Sequence, residues 1–162
     1  MRNTGRNRYR RLRAVLALTA AAPLMVGCVL LEGPTPATPE REAPAVPDVA
    51  PEFVPGGSAS DNLPYFTEVL RAYAEGEAPV TGQPIVDAVA AAGFDKAVMQ
   101  VSFDESMTGL DADNIFVSVR MGADCLIGQI VASDREFAVQ VEPAVGPAQD
   151  ICLIGKTRQI DW

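Results

Sequence analysis

Ile115-Phe116-Val117-Ser118-Val119-Arg120-Met121-Gly122-Ala123-Asp124-Cys125-Leu126-Ile127-Gly128-Gln129-Ile130-Val131 is the stretch that decides the fold. Ile115, Val117, Val119 and Met121 alternate with Phe116, Ser118 and Arg120, the period of two that lines one face of a strand. Gly122-Ala123-Asp124 is a short hairpin connection, and Cys125–Val131 is its apolar partner strand. The same period continues outward in both directions. Ala97, Met99, Val101 and Phe103 alternate with Val98, Gln100 and Ser102. After a turn at Ser133-Asp134-Arg135, Phe137, Val139 and Val141 alternate with Ala138, Gln140 and Glu142. Pro143 to Asp150 reads as a loop, and Ile151–Gly155 as a last short strand.

Upstream of Gly93 the period is helical. Ser60 or Asp61 can cap a helix with Pro64 in its first turn, and Leu63, Phe66, Val69, Leu70 and Tyr73 share one face. Gly76 and Pro79 end it. A second helix starts near Gln83, with Ile85, Ala88, Val89 and Ala92 as its stripe and Gly93 after its end. The predicted class is α+β: two N-terminal helices followed by a mostly antiparallel four- or five-stranded sheet, with the helices over one face.

The rest of the chain is built differently. Residues 1–27 hold six arginines, no acid, and an apolar run from Ala14 to Gly27. A basic start, a short apolar stretch and a small-residue end make a secretory signal, and the run is shorter than the ~20 residues that span a bilayer. Leu24-Met25-Val26-Gly27-Cys28 resembles a bacterial lipobox, in which a small residue precedes a cysteine that is diacylglycerylated and becomes the first residue of the mature chain. Met25 stands where leucine is commoner. The alternative is an ordinary signal peptide with an incidental Cys28. Arg10-Arg11 admits twin-arginine export, without most of that motif's context. Two acyl chains give stable anchoring where one does not.

Residues 28–59 follow, with seven prolines between 29 and 59, five acids, one arginine and Phe53 as the single aromatic. Such a stretch reads as the lipidated Cys28 and a Pro-rich disordered tether, reaching on the order of 90 Å if extended. The alternative is a proline-based recognition motif, which lacks flanking basic residues here. Residues 60–162 form the predicted domain, with 16 acidic and six basic side chains.

Over the whole chain, 13 basic residues face 21 acidic ones and there is no histidine. This balance argues against a nucleic-acid partner. Zero histidine removes Ser-His-Asp triads, Cys-His pairs and His-ligated zinc. No Gly-rich phosphate loop and no S-x-x-K motif is present, so no catalytic residue, metal or cofactor is expected.

Cys125-Leu126-Ile127-Gly128 recurs as Cys152-Leu153-Ile154-Gly155. With Cys28 committed to lipid in an exported chain, Cys125 and Cys152 are expected to pair. The competing readings are a redox pair, a metal site or two unpaired thiols; the spacing is not C-x-x-C and two thiols alone rarely hold zinc. A bridge requires Cα atoms about 4.4–6.8 Å apart. The last strand must then lie directly beside Cys125–Val131, or the cysteines must meet in a loop beyond the sheet end.

Asp104, Glu105, Asp111 and Asp113 crowd the connection between the first two strands. They read as a solvated acidic hairpin, with an incomplete calcium loop or a carboxylate pair of a small hydrolase as alternatives. Trp162 is read as packing over the sheet edge or lying disordered, with recognition as the alternative.

The lipobox, the Pro-rich tether, Gly93-Phe94, the two Cys-Leu-Ile-Gly strands and Thr157-Arg158-Gln159-Ile160-Asp161-Trp162 together resemble an uncharacterised family of actinobacterial membrane-anchored lipoproteins. The resemblance covers roughly 60–162. It implies location and fold, and no catalytic residues. The expected function is a membrane-anchored extracytoplasmic module, on the outer face of the bacterial cytoplasmic membrane, that binds another envelope protein without catalysis. The alternatives are a small carboxylate-dependent cell-wall hydrolase and a protein inhibitor or assembly factor.

Overall fold

Ser58 opens the first helix. Its hydroxyl accepts from the Asp61 N–H while the Asp61 carboxylate accepts from the Ser58 N–H, a reciprocal capping box. The computed structural model describes residues 43–162, and helix α1 occupies Ala59–Glu75. The start is earlier than predicted, so Pro64 lies inside the helix instead of in its first turn. Its ring removes the bond to the Ser60 carbonyl; Ser60 is exposed, so water can take that carbonyl. Helix α2 is Gly82–Ala91. A 3-10 turn, Lys96–Val98, leads into strands β1 (Met99–Val101), β2 (Asn114–Met121), β3 (Asp124–Val131) and β4 (Phe137–Pro143).

The class is α+β, with two helices preceding one antiparallel sheet in the order β1-β2-β3-β4. The helices open the folded unit but begin at Ala59, well inside the chain. β2 pairs with β3 from Asn114↔Val131 to Met121↔Asp124, which leaves Gly122 and Ala123 as a two-residue connection. Gly122 has φ +68, the positive value that such a tight hairpin needs at its first position.

Phe66, Leu70 and Tyr73 of α1 and Ile85, Val86 and Val89 of α2 are buried with Val117, Val119, Leu126 and Ile130 on the sheet. Ile115 and Met121 share that face, and the alternate residues Phe116, Ser118 and Arg120 of β2 and Cys125, Ile127 and Gln129 of β3 form the opposite one. The C-terminus of α1 carries no basic residue of its own. Arg135, in the β3–β4 turn, supplies the cation: its guanidinium donates to the carbonyls of Tyr73, Ala74 and Ala78 at 2.8–2.9 Å.

Two predicted strands are corrected. The first is shorter than its alternation suggests. Asp95 accepts from the Ala97 N–H at 2.9 Å and turns residues 96–98 into the 3-10 turn. Beyond Val101, Asp104 turns toward the start of α2, where it accepts from the Gly82 N–H, and Phe103 is left 47% exposed. The strand predicted at Ile151–Gly155 is not formed. An isolated bridge, Val145↔Ile151, is all the pairing this segment makes. Both edges of β3 are taken by β2 and β4, so a segment bonded to Cys125 has to cross the sheet face.

Residues 43–57, assigned by composition to the tether, meet the folded domain at Pro44, Phe53 and Val54. Phe53 meets Phe94 edge-on, with ring centroids 5.0 Å apart, and Tyr65 at 5.9 Å. The fully buried Asn62 accepts from the Val54 N–H at 2.9 Å and donates to the Val54 carbonyl at 3.0 Å. Arg71 donates to the Pro44 carbonyl at 2.8 Å.

Candidate functional site

Cys125 and Cys152 form a disulfide with Cα atoms 5.6 Å apart. Neither expected placement is found: Cys125 lies within β3, paired on both sides, and Cys152 comes from the irregular segment after β4, so the two meet on the sheet face. The pair is buried with Ala144 and against Ile127, a small second core on the sheet face away from the helices. Gln100 of β1 holds the same segment. Its side-chain oxygen accepts from the Cys152 and Leu153 N–H groups at 3.0 and 2.9 Å, and its amide donates to the Asp150 carbonyl at 2.8 Å. No pattern in the sequence marks Gln100, because its partners are backbone groups 50 or more residues away.

The chain then turns round the β1 edge. Arg158 pairs with Val101 in an antiparallel bridge, its N–H donating to the Val101 carbonyl at 2.9 Å. Its guanidinium meets Asp104 at 2.7 Å and lies 4.7 Å from the centroid of the Trp162 ring. The Trp162 indole donates to Asp87 of α2 at 3.1 Å, and Lys96 reaches the same carboxylate oxygen at 2.6 Å. The hydrogen bond from Lys96 outweighs desolvation and, with a lesser contribution from the indole, holds the Asp87 carboxyl below its ordinary pKa. Trp162 thus packs on α2, and not over the sheet edge as read from sequence.

Asp104 is therefore a structural residue, joining the start of α2 to Arg158. Glu105, Asp111 and Asp113 are exposed, and among the described residues no ion pair meets them. Glu105 and Asp111 face each other across a backbone bridge. Beyond them Ser106 closes the loop: its N–H donates to the Leu110 carbonyl at 2.7 Å and its hydroxyl accepts from the Leu110 N–H at 3.2 Å. This closed turn displays Met107 and Leu110, which are 100% and 68% exposed. Sequence reading identified the acids of this loop and missed its apolar tip, because two isolated apolar residues carry no period.

Cys28, the signal peptide and residues 28–42 of the tether lie outside the described residues. Among the described residues no helix is long and apolar enough to cross a membrane. Also among them, no three Asp, Glu, Cys or His side chains group as metal ligands would. Surface hollows among the described residues include one of about 350 Å³, lined by Phe53, Gly57, Gly93, Arg120 and Gly122, among others, and a smaller one of about 90 Å³ at Phe116, Ile127 and Gln140.

No curated protein and no solved structure matches the chain. Residues 70–156, from within α1 to just past the second Cys-Leu-Ile-Gly, match the model of a family described as a domain of unknown function, DUF6993, and the chain belongs to that family.

Proposed function

We propose that this chain is an exported lipoprotein of the actinobacterial type, held on the outer face of the cytoplasmic membrane by a diacylglyceryl group on Cys28. Its α+β domain is a non-enzymatic binding module for another envelope protein. The observation that carries the binding reading is the β1–β2 loop, which holds Met107 and Leu110 out in water above exposed carboxylates. Apolar side chains presented on a closed turn dock with little further ordering of the backbone, which leaves only their rotamer freedom to lose, and exposed apolar groups of this kind mark interfaces. The charge balance favours a cationic partner surface. Arg71, Lys96, Arg135 and Arg158 are spent on contacts within the domain, so Glu105, Asp111 and Asp113 are left to face the surroundings.

The test is made in intact cells with the full chain. A photo-crosslinking residue replaces Met107, and a control replaces the exposed Ala123 in the β2–β3 turn, at the other end of the sheet. A discrete adduct from position 107 alone, on a chain that enters the detergent phase unless Cys28→Ala is present, is the expected result. A chain that stays in the aqueous phase with Cys28 intact removes the anchoring. Equal adducts from both positions, or none from 107, remove the loop as the docking element.

A further inference from the structure

The two edges of the sheet are finished differently. At β1 the strap closes the edge through the Val101↔Arg158 bridge. At β4 no described segment bonds to the outer side. The ladder shows which groups are left. Val131 donates to the Glu136 carbonyl and Ala144 to the Ala123 carbonyl, so the hydrogen-bonded pairs of β3 with β4 run through Ala138, Gln140 and Glu142. The N–H and C=O groups of Phe137, Val139 and Val141 therefore point away from β3. Val139 and Val141 are also only partly buried on the helix face, where one more strand would cover them.

We propose that this edge pairs with the β4 edge of a second copy of the same chain, antiparallel and with Gln140 opposite Gln140. That register makes two complete hydrogen-bonded pairs at its centre and, with Pro143 opposite Phe137, half a pair at each end. Val139 then exchanges hydrogen bonds with Val141 of the second copy, and the reverse, which puts two Val–Val pairs on the helix face. Glu142 falls opposite Ala138. Sliding by two residues one way sets Glu142 against Glu136, and sliding the other way, toward Pro143, sets Val139 against Pro143, which has no N–H to give, and leaves Val141–Val141 as the single complete pair. The resulting interface is isologous, with its two-fold axis normal to a continuous sheet. That symmetry keeps both helix layers on one side, and residues 44 and 45 leave each domain beside Arg71 on that same side. Given the anchoring proposed above, both copies can then stand on one membrane, where tethering raises their effective concentration.

Single cysteines test the pairing in the full chain, in intact cells, with copper phenanthroline as oxidant and non-reducing electrophoresis as readout. At Gln140 the two Cα atoms lie about 4.5 Å apart in a non-hydrogen-bonded pair, within disulfide reach. Gln140→Cys is expected to convert most of the chain to a covalent dimer. Ala138→Cys, two residues off the axis and facing Glu142, is expected to leave it monomeric. Adding Val139→Pro to Gln140→Cys removes an outward N–H and no β3 ladder bond, so it should abolish the dimer while the Cys125–Cys152 bridge stays intact. No dimer from Gln140→Cys, equal dimer from Ala138→Cys, or an adduct with a different protein overturns the proposal. These readouts do not involve Met107, so the β1–β2 loop stands or falls independently.

Discussion

Gly128 and Gly155 close two copies of one tetrapeptide, and the fold asks different things of them. A Cβ at Gly128 would sit 2.2 Å from Leu70 Cδ1 and 3.2 Å from Phe66, so this glycine is where α1 comes down onto β3. At Gly155 nothing lies within 4 Å, and the requirement is a backbone φ of +111. Gly128→Ala is expected to lower stability by about 1–3 kcal/mol through overpacking. A denaturant titration should show the midpoint fall with the slope unchanged. An unchanged midpoint would mean that α1 does not approach β3 this closely. The repeat is plain in the sequence. Which copy becomes a strand is not, because the identical residues differ only in what packs on them. Asn62 is another residue of this kind: a polar side chain that reads as helix surface is fully buried because Val54 bends back to meet both ends of its amide.

At the scale of elements, alternation and helical period located both helices and all four strands. What they missed are places where one carboxylate overrides a pattern, Asp95 at the 3-10 turn and Asp104 after β1. The strap of residues 157–162 has no period at all, and its position rests on the Val101↔Arg158 bridge, the Asp104 ion pair and side-chain contacts with α2. Its hold on Asp87 makes it acid-sensitive. The carboxyl titrates lower when folded than when unfolded, so its contribution is complete above the ordinary carboxylate range and is lost as pH falls through the lowered value. Trp162 is the chain's single tryptophan, so its fluorescence reports the strap. Emission is expected to shift to the red as pH falls below about 4. In Asp87→Ala it should be shifted already at neutral pH and respond little to acid. An acid response unaltered by Asp87→Ala would place the sensitivity elsewhere.

At the largest scale the disulfide ties the segment that follows β4 to an interior strand of the sheet. It closes a loop of sequence separation 27, and in the chain-entropy account that constraint contributes about 3.5 kcal/mol. Replacing both cysteines by serine is expected to lower unfolding free energy by about that amount. It should also release residues 144–156, seen as fast amide exchange there while β2 and β3 stay protected. Continued protection of 144–156 in the double variant would assign the clamp to Gln100 alone.

The sequence by itself determined the class of the fold, the hairpin at Gly122, the two faces of β2 and the identity of the bridged cysteines. Each of these depends on near neighbours or on a count of residues, and such information is local. The tertiary structure alone decided that Pro44, Phe53 and Val54 meet the folded domain, that Arg135 finishes α1 and that Cys152 reaches Cys125 across a sheet face. It also decided that the strap closes one edge and leaves β4 open. Those outcomes depend on which strand is interior and which backbone groups remain unpaired, and neither is defined until distant segments have met.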